Sequence, residues 1–386
     1  MRIALFGTFD VDNYGDLLFP YIAQGKYPEH HWTFVAPTNS KTAFIDSKPT
    51  KTIQEIKNEH FDLVVIGGGN IIHTKPTSLP VYQTQNVHSF AYPELWVGAA
   101  KFAIKRRIPY VFNAPSISNL FASSIEKFIF NAVLKNSSYV SFREQYSCEF
   151  AKQLNTSKEV HCVTDTAIEI AKYLPLPTKK RKNKIVINLN QRYHSPAKIT
   201  AHFLDVLSSQ LQLEIDIVVI GDCHGDINFS KSVKAKLKNT NTQFIEKQSI
   251  EQLAHRIGES QLFIGSSMHG FITALSYGTP ALLVLNEKPM HKFVGLIENL
   301  AIDRRVICSN WCDVLERIEE ACLLPDYIKK GIAINQNQHW ERIINTDKTQ
   351  DIGFISSFII HHWKALLTLD RRINKLRTLK SIFLNA

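Results

Sequence analysis

The chain contains no apolar run of the roughly 20 residues that a membrane-spanning helix needs, although 44% of its 386 residues are hydrophobic. Its six cysteines include no CxxC pair and no histidine-rich partner segment, so we expect no metal site. The N-terminal segment lacks the long apolar core and the cleavage site of a signal peptide, and we therefore expect a cytoplasmic protein. Its length fits two globular domains of ordinary size.

Acidic residues are fewer than basic ones, with 35 Asp and Glu against 45 Lys and Arg, and the formal net charge is +10. Such a surplus fits anionic small ligands, nucleic acid or an anionic membrane surface. Because no zinc finger, aromatic RNA-binding motif or helix-turn-helix pattern accompanies the charge, we expect no nucleic-acid partner. Part of the charge is local, in a basic run over residues 179–182 and in six basic residues between Lys364 and Lys380.

Short apolar runs alternate with helical patterns through most of the chain, which indicates α/β domains with doubly wound parallel sheets. A charged stretch with two prolines over residues 174–183 separates two such series and predicts a linker. We predict an N-terminal α/β domain over residues 1–175, a second α/β domain over 184–330 and a helical segment over 331–386. The predicted strands are Ile3–Phe6, Trp32–Val35, Leu63–Ile66, Tyr110–Phe112, Tyr139–Phe142, Val160–Val163, Lys184–Leu189, Ile215–Ile220, Gln243–Ile245, Leu262–Ile264, Ala281–Leu285 and Val306–Cys308.

The tail from about Ile355 predicts one amphipathic helix, because its apolar residues recur at spacings of three, four or seven. Two interpretations stay open. The helix packs onto the body of the protein, or residues 357–384 rest on an anionic membrane surface as a peripheral contact. The apolar positions are Ile359, Trp363, Leu366, Ile373, Leu376, Leu379 and Phe383.

Two doubly wound domains would hold a ligand cleft between the carboxyl ends of their strands. The segment after the first strand places Asp12, Asn13, Gly15 and Asp16 at that position. Its glycines permit a sharp turn, and the N-terminus of the following helix offers N–H groups to an anion or a sugar oxygen. The pattern is not a GxGxxG nucleotide motif. The alternative is that Asn13 and Asp16 only cap a turn and a helix.

A second glycine turn, Gly67-Gly68-Gly69 followed by Asn70, comes directly after another apolar strand. Three consecutive glycines are costly to order, so such a turn serves a close approach of the backbone. The approach is either to a ligand, which would make these four residues part of a substrate-binding site, or to the neighbouring domain.

Charged residues follow two further strands. Arg143 can hold a carboxylate or a phosphate with two hydrogen bonds, and the alternative is a local ion pair with Glu144. Asp165 begins a helix, and an aspartate in that position is usually a cap.

The strongest candidate is the unit in which a strand, the turn Ser266-Ser267-Met268-His269-Gly270 and a helix ending at Gly278 follow one another. His269 falls near the helix N-terminus, where the helix dipole favours a neutral imidazole or a bound anion. A lone histidine is more often structural, but this one lies where the cleft is expected. We interpret His269 as functional, with Ser267 and Gly270 beside the ligand.

Taken in order, these motifs resemble the polysaccharide pyruvyl transferase family, whose members are similar to the two-domain glycosyltransferases of the GT-B type. The resemblance extends from about residue 3 to residue 300. The matching segments are Asn13-Tyr14-Gly15-Asp16, Gly67-Gly68-Gly69, Ser141-Phe142-Arg143-Glu144, Asp165-Thr166-Ala167, His269-Gly270 and the Ala274, Gly278 and Pro280 positions.

The resemblance implies transfer of a pyruvyl group from phosphoenolpyruvate to a sugar of a surface polysaccharide or cell-wall polymer, with no cofactor. It places Arg143 and His269 in catalytic roles. Arg143 would hold the donor's carboxylate or phosphate, and His269 would contact the phosphate or act as general acid. Lys292 would add charge to the phosphate site. Asp12, Asn13 and Asp16 would face the acceptor, a sugar or a lipid-linked oligosaccharide.

One position departs from the family pattern. Several members carry arginine two residues before the histidine, and this chain has Ser267 there. Either another basic residue (Lys288, Lys292 or Arg192) substitutes for it, or the donor differs. Two alternatives therefore stay open. A GT-B-type glycosyltransferase would need a carboxylate in the second domain for the ribose of its nucleotide sugar, and no clear candidate is seen near His269. A non-catalytic glycan-assembly subunit would dock to the membrane through the C-terminal helix.

Overall fold

The computed structural model describes residues 1–118, 121–154, 157–178, 182–193, 195–222, 225–238, 241–246, 248–285, 291–321, 323–346 and 353–384. Over these residues the chain forms two large parallel β-sheets, one small sheet and surrounding helices. No helix in the described part is both long and apolar enough to cross a membrane.

The first large sheet has five parallel strands in the order β3-β2-β1-β4-β5. Strand alternation sends Leu5 and Val65 to one face of this sheet and Phe6 and Ile66 to the other, and all four side chains are buried. Both faces are therefore covered, as the apolar runs predict. The strands are β1 (Arg2–Phe6), β2 (His31–Val35), β3 (Thr50–Lys51), β4 (Leu63–Gly67) and β5 (Tyr110–Asn113).

The next two strands, β6 (Ser141–Phe142) and β7 (His161–Cys162), pair with each other in a separate small sheet. The predicted strand Tyr139–Phe142 is therefore too long, because Tyr139 makes only an isolated bridge to Val111. The sequence prediction also missed β3, whose two residues are polar and lie at the sheet edge.

The second large sheet has six parallel strands in the order β10-β9-β8-β11-β12-β13. Its order reverses between β8 and β11, as the order of the first sheet reverses between β1 and β4, so each sheet has a switch point where ligands bind in doubly wound folds. The strands are β8 (Lys184–Asn188), β9 (Glu214–Val218), β10 (Thr242–Ile245), β11 (Leu262–Gly265), β12 (Ala281–Val284) and β13 (Ile307–Cys308).

Helices cover both large sheets. Around the first sheet lie α1 (Tyr14–Lys26), α2 (Pro80–Thr84), α3 (Ala91–Pro93), α4 (Ala99–Arg106), α5 (Ser124–Asn136), α6 (Gln145–Leu154) and α7 (Ile170–Tyr173). Around the second lie α8 (Ala197–Leu211), α9 (Asp226–Lys234), α10 (Ile250–Glu259), α11 (Met268–Ser276), α12 (His291–Asn299) and α13 (Trp311–Glu316). The C-terminal part forms α14 (Asp326–Ile344), α15 (Phe354–His361) and α16 (Trp363–Leu384).

The two large sheets share one apolar core. A single cluster of buried side chains includes Leu5 and Val65 of the first sheet and Ile187 and Phe263 of the second. Tyr14 is fully buried within it, and its hydroxyl lies 3.0 Å from Thr273 Oγ1 on α11. The two halves are thus held directly against each other. The domain ranges 1–175 and 184–330 each contain one large sheet, and their boundaries stay a prediction.

The C-terminal part differs from the predicted single helix. The helix is interrupted at His362, and α14 runs across the predicted boundary between residues 330 and 331. Ile360, Trp363 and Leu367 are buried against the first sheet's outer core, which supports the packing interpretation for this stretch. Leu376 is exposed. The side chains of Leu379 and Phe383 lie outside the described part.

Candidate active site

A cleft of about 460 Å³ lies between the carboxyl ends of strands from both large sheets. Thr8 follows β1, Asn70 follows β4, Asn188 ends β8, Gly221 follows β9 and Ser266 follows β11. Parallel strands direct their carboxyl ends to one edge of a sheet, so polar residues that follow them meet there. The predicted position of the cleft agrees with this arrangement.

Two helix N-termini meet at the cleft. Asn13 caps α1 by accepting a hydrogen bond from Gly15 N at 3.2 Å, and Ser267 caps α11 by accepting one from Gly270 N at 3.1 Å. Gly15 lies so close to His269 that a Cβ added there would collide with the imidazole ring. The glycine is needed for this contact between α1 and α11, so it positions the histidine.

Arg143, Asp165 and His269 form a buried charged cluster at the wall of the cleft, which we call the cleft cluster. Arg143 Nη1 lies 2.7 Å from Asp165 Oδ2, and His269 Nε2 lies 3.5 Å from the same oxygen. All three residues are at most 8% exposed. One carboxylate therefore orients both catalytic candidates, and it connects a residue of the first half to one of the second.

Glu144 positions Arg143 from the other side. Its Oε2 lies 3.6 Å from Arg143 Nε, and its Oε1 accepts a hydrogen bond from the Ser116 hydroxyl at 2.5 Å. The alternative of a local ion pair with Glu144 is thus partly realised, although the shorter contact is with Asp165. Asn299 on α12 also donates to the Arg143 carbonyl at 2.6 Å, so the second half of the chain supports this arginine.

The two carboxyl groups of the cleft titrate in opposite directions. Burial by itself raises the pKa of Asp165, but the positive charge of Arg143 and the contact with His269 lower that pKa well below its ordinary value. Burial raises the pKa of Asp16, and His269 and Thr8 offset this only in part. Such a separation assigns different chemical roles to two carboxyl groups. Asp165 therefore stays ionised to lower pH than Asp16 does.

Lys292 on α12 lines the same cleft. Burial and the nearby charge of Arg143 lower the pKa of Lys292 to about 8, although Asp16 acts in the opposite direction. A lysine with this pKa is charged at neutral pH and can release a proton during a reaction. The cleft therefore collects three nitrogen-containing side chains, those of Arg143, His269 and Lys292, around a space that fits an anion.

In the described part of the chain, no group of three or more His, Cys, Asp or Glu side chains could hold a metal ion. The cleft's polar lining combines hydroxyls, amides and basic side chains with the carboxyl groups of Asp16 and Asp226, so hydrogen-bond donors outnumber carboxylates there.

Comparison with known protein families gives one match, to the model described as polysaccharide pyruvyl transferase, over residues 13–288. This range covers more than half of the chain and includes the cleft cluster. The chain belongs to the polysaccharide pyruvyl transferase family. A search of curated protein sequences finds no match.

Solved structures support the predicted GT-B-like fold. A UDP-N-acetylglucosamine 2-epimerase from Rickettsia bellii is similar with a TM-score of 0.53 and 13% identity, covering 89% of this chain and 95% of that one. The S. aureus MnaA–UDP co-structure has a TM-score of 0.51 and 14% identity, covering 95% of this chain and 97% of that one. At such identities the likeness concerns the fold alone.

Several of the predicted site residues of this pyruvyl transferase family member do line the cleft. They are Asn13, Asp16, Asn70, Arg143, Ser267, His269 and Lys292. Arg192, one of the bases considered for the missing family arginine, lines it as well, whereas Lys288 lies outside the described residues. Cationic side chains other than the family arginine are therefore present in the cleft.

Other predicted residues lie apart from the ligand space or serve packing. Asp12 is exposed, and its Oδ1 accepts a hydrogen bond from Ala43 N at 2.5 Å. Gly270 lies against Phe263, so its role is close packing. Neither residue is among those that line the cleft.

In the second glycine turn, Gly68 and Gly69 lie against α1, whereas Gly67 lies against Asn113 and Pro115. The role of these three glycines in substrate binding stays a prediction. Gly67, Gly68 and Gly69 have φ angles of 127°, 56° and 74°, which side chains other than glycine rarely adopt. A Cβ on Gly68 would collide with the Phe19 ring. A Cβ on Gly69 would lie 2.8 Å from Asp16 Oδ1, so this turn leaves room for the Asp16 carboxyl at the cleft.

For two carboxylates, the sequence analysis did not predict a place at the cleft. Asp165 was interpreted as a cap, and it does accept from Ala167 N at 2.9 Å, but its other oxygen holds the cleft cluster. Asp226, at the start of α9, lines the same cleft from the second half, so a carboxylate of the second domain is present there. Its place in a turn after a predicted strand is the signal that could have found it.

Proposed function

We propose that this chain transfers a pyruvyl group from phosphoenolpyruvate to two hydroxyls of a sugar in a surface polysaccharide or cell-wall polymer precursor. The observation that carries the proposal is the convergence of Arg143, His269 and Lys292 on one cleft between the two sheets. Phosphoenolpyruvate bears a carboxylate and a phosphate, and such an anion needs several fixed positive groups.

In this scheme Arg143 and Lys292 hold the donor. Arg143 keeps its orientation because Asp165 and Glu144 contact it on two sides. Because Nη1 contacts Asp165 and Nε faces Glu144, Nη2 is the nitrogen of the guanidinium that would hold a carboxylate of the ligand. Lys292 takes the phosphate, and Arg192 adds charge at the mouth of the cleft.

The reaction balances with one acid and one base. His269 donates a proton to the methylene carbon of the enol, and C2 becomes an oxocarbenium-like centre that the first sugar hydroxyl attacks. The C2–O bond to phosphate then breaks, and the second hydroxyl attacks to close the ketal. Of the two hydroxyl protons, one replaces the proton lost by His269 and the other leaves with hydrogen phosphate. No metal or organic cofactor takes part.

Asp16 is the base that we propose for the acceptor hydroxyl. Its pKa is raised by burial, which makes the carboxylate a better proton acceptor than an exposed one. Asn13 Nδ2 donates to Asp16 Oδ2 at 2.9 Å and holds the carboxyl in place. The acceptor therefore binds on the α1 side of the cleft, with Asp16 near the charges of His269, Arg143 and Lys292 that hold the donor.

One observation favours a second candidate, a glycosyltransferase that uses a nucleotide sugar. Asp226 lines the cleft in the second half, Asn190 Nδ2 donates to its Oδ2 at 3.2 Å, and burial raises its pKa to about 6. A carboxylate there could bind a ribose hydroxyl. The same contact would serve a pyruvyl acceptor that carries a nucleotide.

The deciding experiment incubates the protein with phosphoenolpyruvate and a panel of nucleotide-linked and lipid-linked sugars. We expect one phosphate released for each pyruvylated sugar, measured by phosphate assay and mass spectrometry. In parallel, a donor at 100 times its Kd should stabilise the fold by about 2.7 kcal/mol in thermal unfolding. Stabilisation by a nucleotide sugar but not by phosphoenolpyruvate, with glycosyl transfer, would support the second candidate instead. No product with any pair would favour the assembly subunit.

The role of His269 is tested by His269→Gln, which removes the acid. We expect turnover to fall by roughly 10²- to 10⁴-fold, with the Kd for phosphoenolpyruvate little changed. His202, on α8 and not among the cleft residues, gives the matched control His202→Gln, which should leave turnover unchanged. Full turnover in the His269 variant would contradict the assignment.

A further inference from the structure

A second cavity, of about 500 Å³, lies where the α15–α16 junction meets α4. In the described part of the chain it shares no lining residue with the cleft. Five cationic side chains line it, and we call them the basic patch: Lys57, Lys101, Lys105, Arg106 and Lys364.

The basic patch has little negative charge to balance it. Among the described residues, Glu94 is the only carboxylate that lines this cavity, and it pairs with Lys364 at 2.8 Å. Burial and then the charge of Lys105 lower the pKa of Lys101, and the charge of Lys101 in turn lowers the pKa of His361. These cations repel one another, so an anion bound among them would relieve that repulsion.

Exposed apolar side chains adjoin the basic patch. Phe354, Ile355 and Phe358 on α15 are 85%, 74% and 52% exposed. The Phe358 ring lies 4.6 Å from the ring of His362, which lines the cavity, and Phe354 is one helical turn earlier on the same face. The opposite face of α15 is fixed to the body, because Ile360 is buried in the core of the first sheet.

We propose that the basic patch and the outer face of α15 together form a docking surface for an anionic lipid bilayer. Cations beside large exposed apolar side chains are the combination that binds at a membrane interface, since the charges meet the headgroups and the apolar groups enter the acyl boundary. A free phosphate would need only the cations. The surface adjoins the start of residues 357–384, the segment that was expected to contact a membrane. Within that segment Trp363 and Leu367 of α16 are buried, so these two side chains do not face a membrane.

The test is sedimentation of the full chain with vesicles of phosphatidylcholine alone or mixed with phosphatidylglycerol. We expect binding to the mixed vesicles, weakened by added salt. In Lys101→Glu/Lys105→Glu the partition coefficient should fall by at least roughly 25-fold, since each lysine near an anionic surface contributes about fivefold. Phe358→Ser should lower it by roughly tenfold.

Matched controls lie elsewhere on the surface. Lys198→Glu changes an exposed lysine on α8, and Ile334→Ser changes a side chain on α14 that is 57% exposed. Both should bind vesicles like the unchanged protein. Leu376→Ser, on the exposed part of α16, should do the same. Circular dichroism and thermal unfolding confirm that each variant is folded.

Three results would overturn the proposal. They are no binding of the unchanged protein to phosphatidylglycerol vesicles, loss of binding in Leu376→Ser but not in Phe358→Ser, and a dimer in solution that Phe358→Ser dissociates. The proposal does not rest on pyruvyl transfer. Vesicle binding is measured without donor or acceptor, so its failure is distinct from failure of the proposed reaction.

Discussion

The cleft cluster and the basic patch both gather cationic side chains, but they hold their charge differently. In the cleft, Arg143 is 4% exposed and contacts two carboxylates. In the basic patch, Lys57, Lys105 and Lys364 are exposed, and one carboxylate accompanies five cations. Buried charges need partners, which also fix their geometry. Exposed charges need none, and their interactions are weaker and more sensitive to salt.

The two proposals imply two kinds of anion recognition in one chain. A buried and partnered guanidinium would select a small anion in one orientation, whereas exposed lysines would attract a negative surface. The two regions should therefore be separable by mutation. Each of the following variants is measured both for pyruvyl transfer and for vesicle binding, and changes in the cleft should leave vesicle binding unchanged.

The largest effect is expected for Asp165→Asn. The change leaves Arg143 buried beside a neutral amide and removes the carboxylate that orients His269, so we expect turnover to fall by roughly 10²- to 10⁴-fold. Loss of one partner of a buried pair should also lower the free energy of unfolding by about 3 to 5 kcal/mol. Steady-state kinetics and denaturant unfolding measure the two effects.

The matched control for this change is Asp303→Asn, which removes an exposed carboxylate 2.9 Å from Arg305. Surface pairs of this kind contribute little because water screens them, so stability and turnover should hardly change. If Asp165→Asn behaved like this control, the cleft cluster would not be a functional unit.

The next largest effect is expected for Gly15→Ala. Its Cβ would overlap the His269 ring, and a displaced imidazole should reduce turnover by roughly 10²-fold. Gly331→Ala is the control, because no atom lies within 4 Å of a Cβ placed there, and α14 should gain about 0.5 to 1 kcal/mol. Equal turnover in both variants would show that the close contact has no catalytic role.

The lowered pKa of Lys292 predicts that donor binding depends on pH. With a pKa of about 8 in the free protein, Lys292 is charged below that pH and loses its charge above it. The affinity for phosphoenolpyruvate should therefore fall as the pH rises through about 8, measured by calorimetry. Lys292→Gln should weaken binding by roughly 10- to 100-fold at neutral pH. Lys292→Arg should remove the alkaline decline, and an unchanged pH profile in that variant would exclude Lys292 as its source.

The smallest effect is expected for Ser267→Ala. It removes the cap of α11, so the free energy of unfolding should fall by about 1 kcal/mol. Ser123→Ala removes a comparable cap from α5, which lies away from the cleft, and should cost a similar amount. A decline in turnover specific to Ser267→Ala would show that the cap also places His269.

The amino-acid sequence by itself determined the sheets, the family and the location of the cleft. Apolar runs such as Leu63–Ile66 can be buried on both faces only in a covered parallel sheet, and polar residues after such strands must meet at one edge. His269 and Arg143 were placed at the cleft in this way, and both line it. The separation of Tyr139 from β6 and the break at His362 depend on packing against distant elements, which local patterns do not report.

The tertiary structure decided which polar groups touch. Asp165 looks like a helix cap in sequence, and only the fold brings Arg143 and His269 to its second oxygen, because these residues come from different halves of the chain. The Gly67–Gly69 turn was interpreted as a close approach to a ligand or to the other domain, and only the structure shows that Gly68 meets Phe19 and that Gly69 meets Asp16. In the same way, only the structure shows that Gly15 meets His269. Glycines in a sequence indicate that the backbone approaches another group closely. Which group this is depends on contacts between residues far apart in the chain, and these contacts exist only in the folded structure.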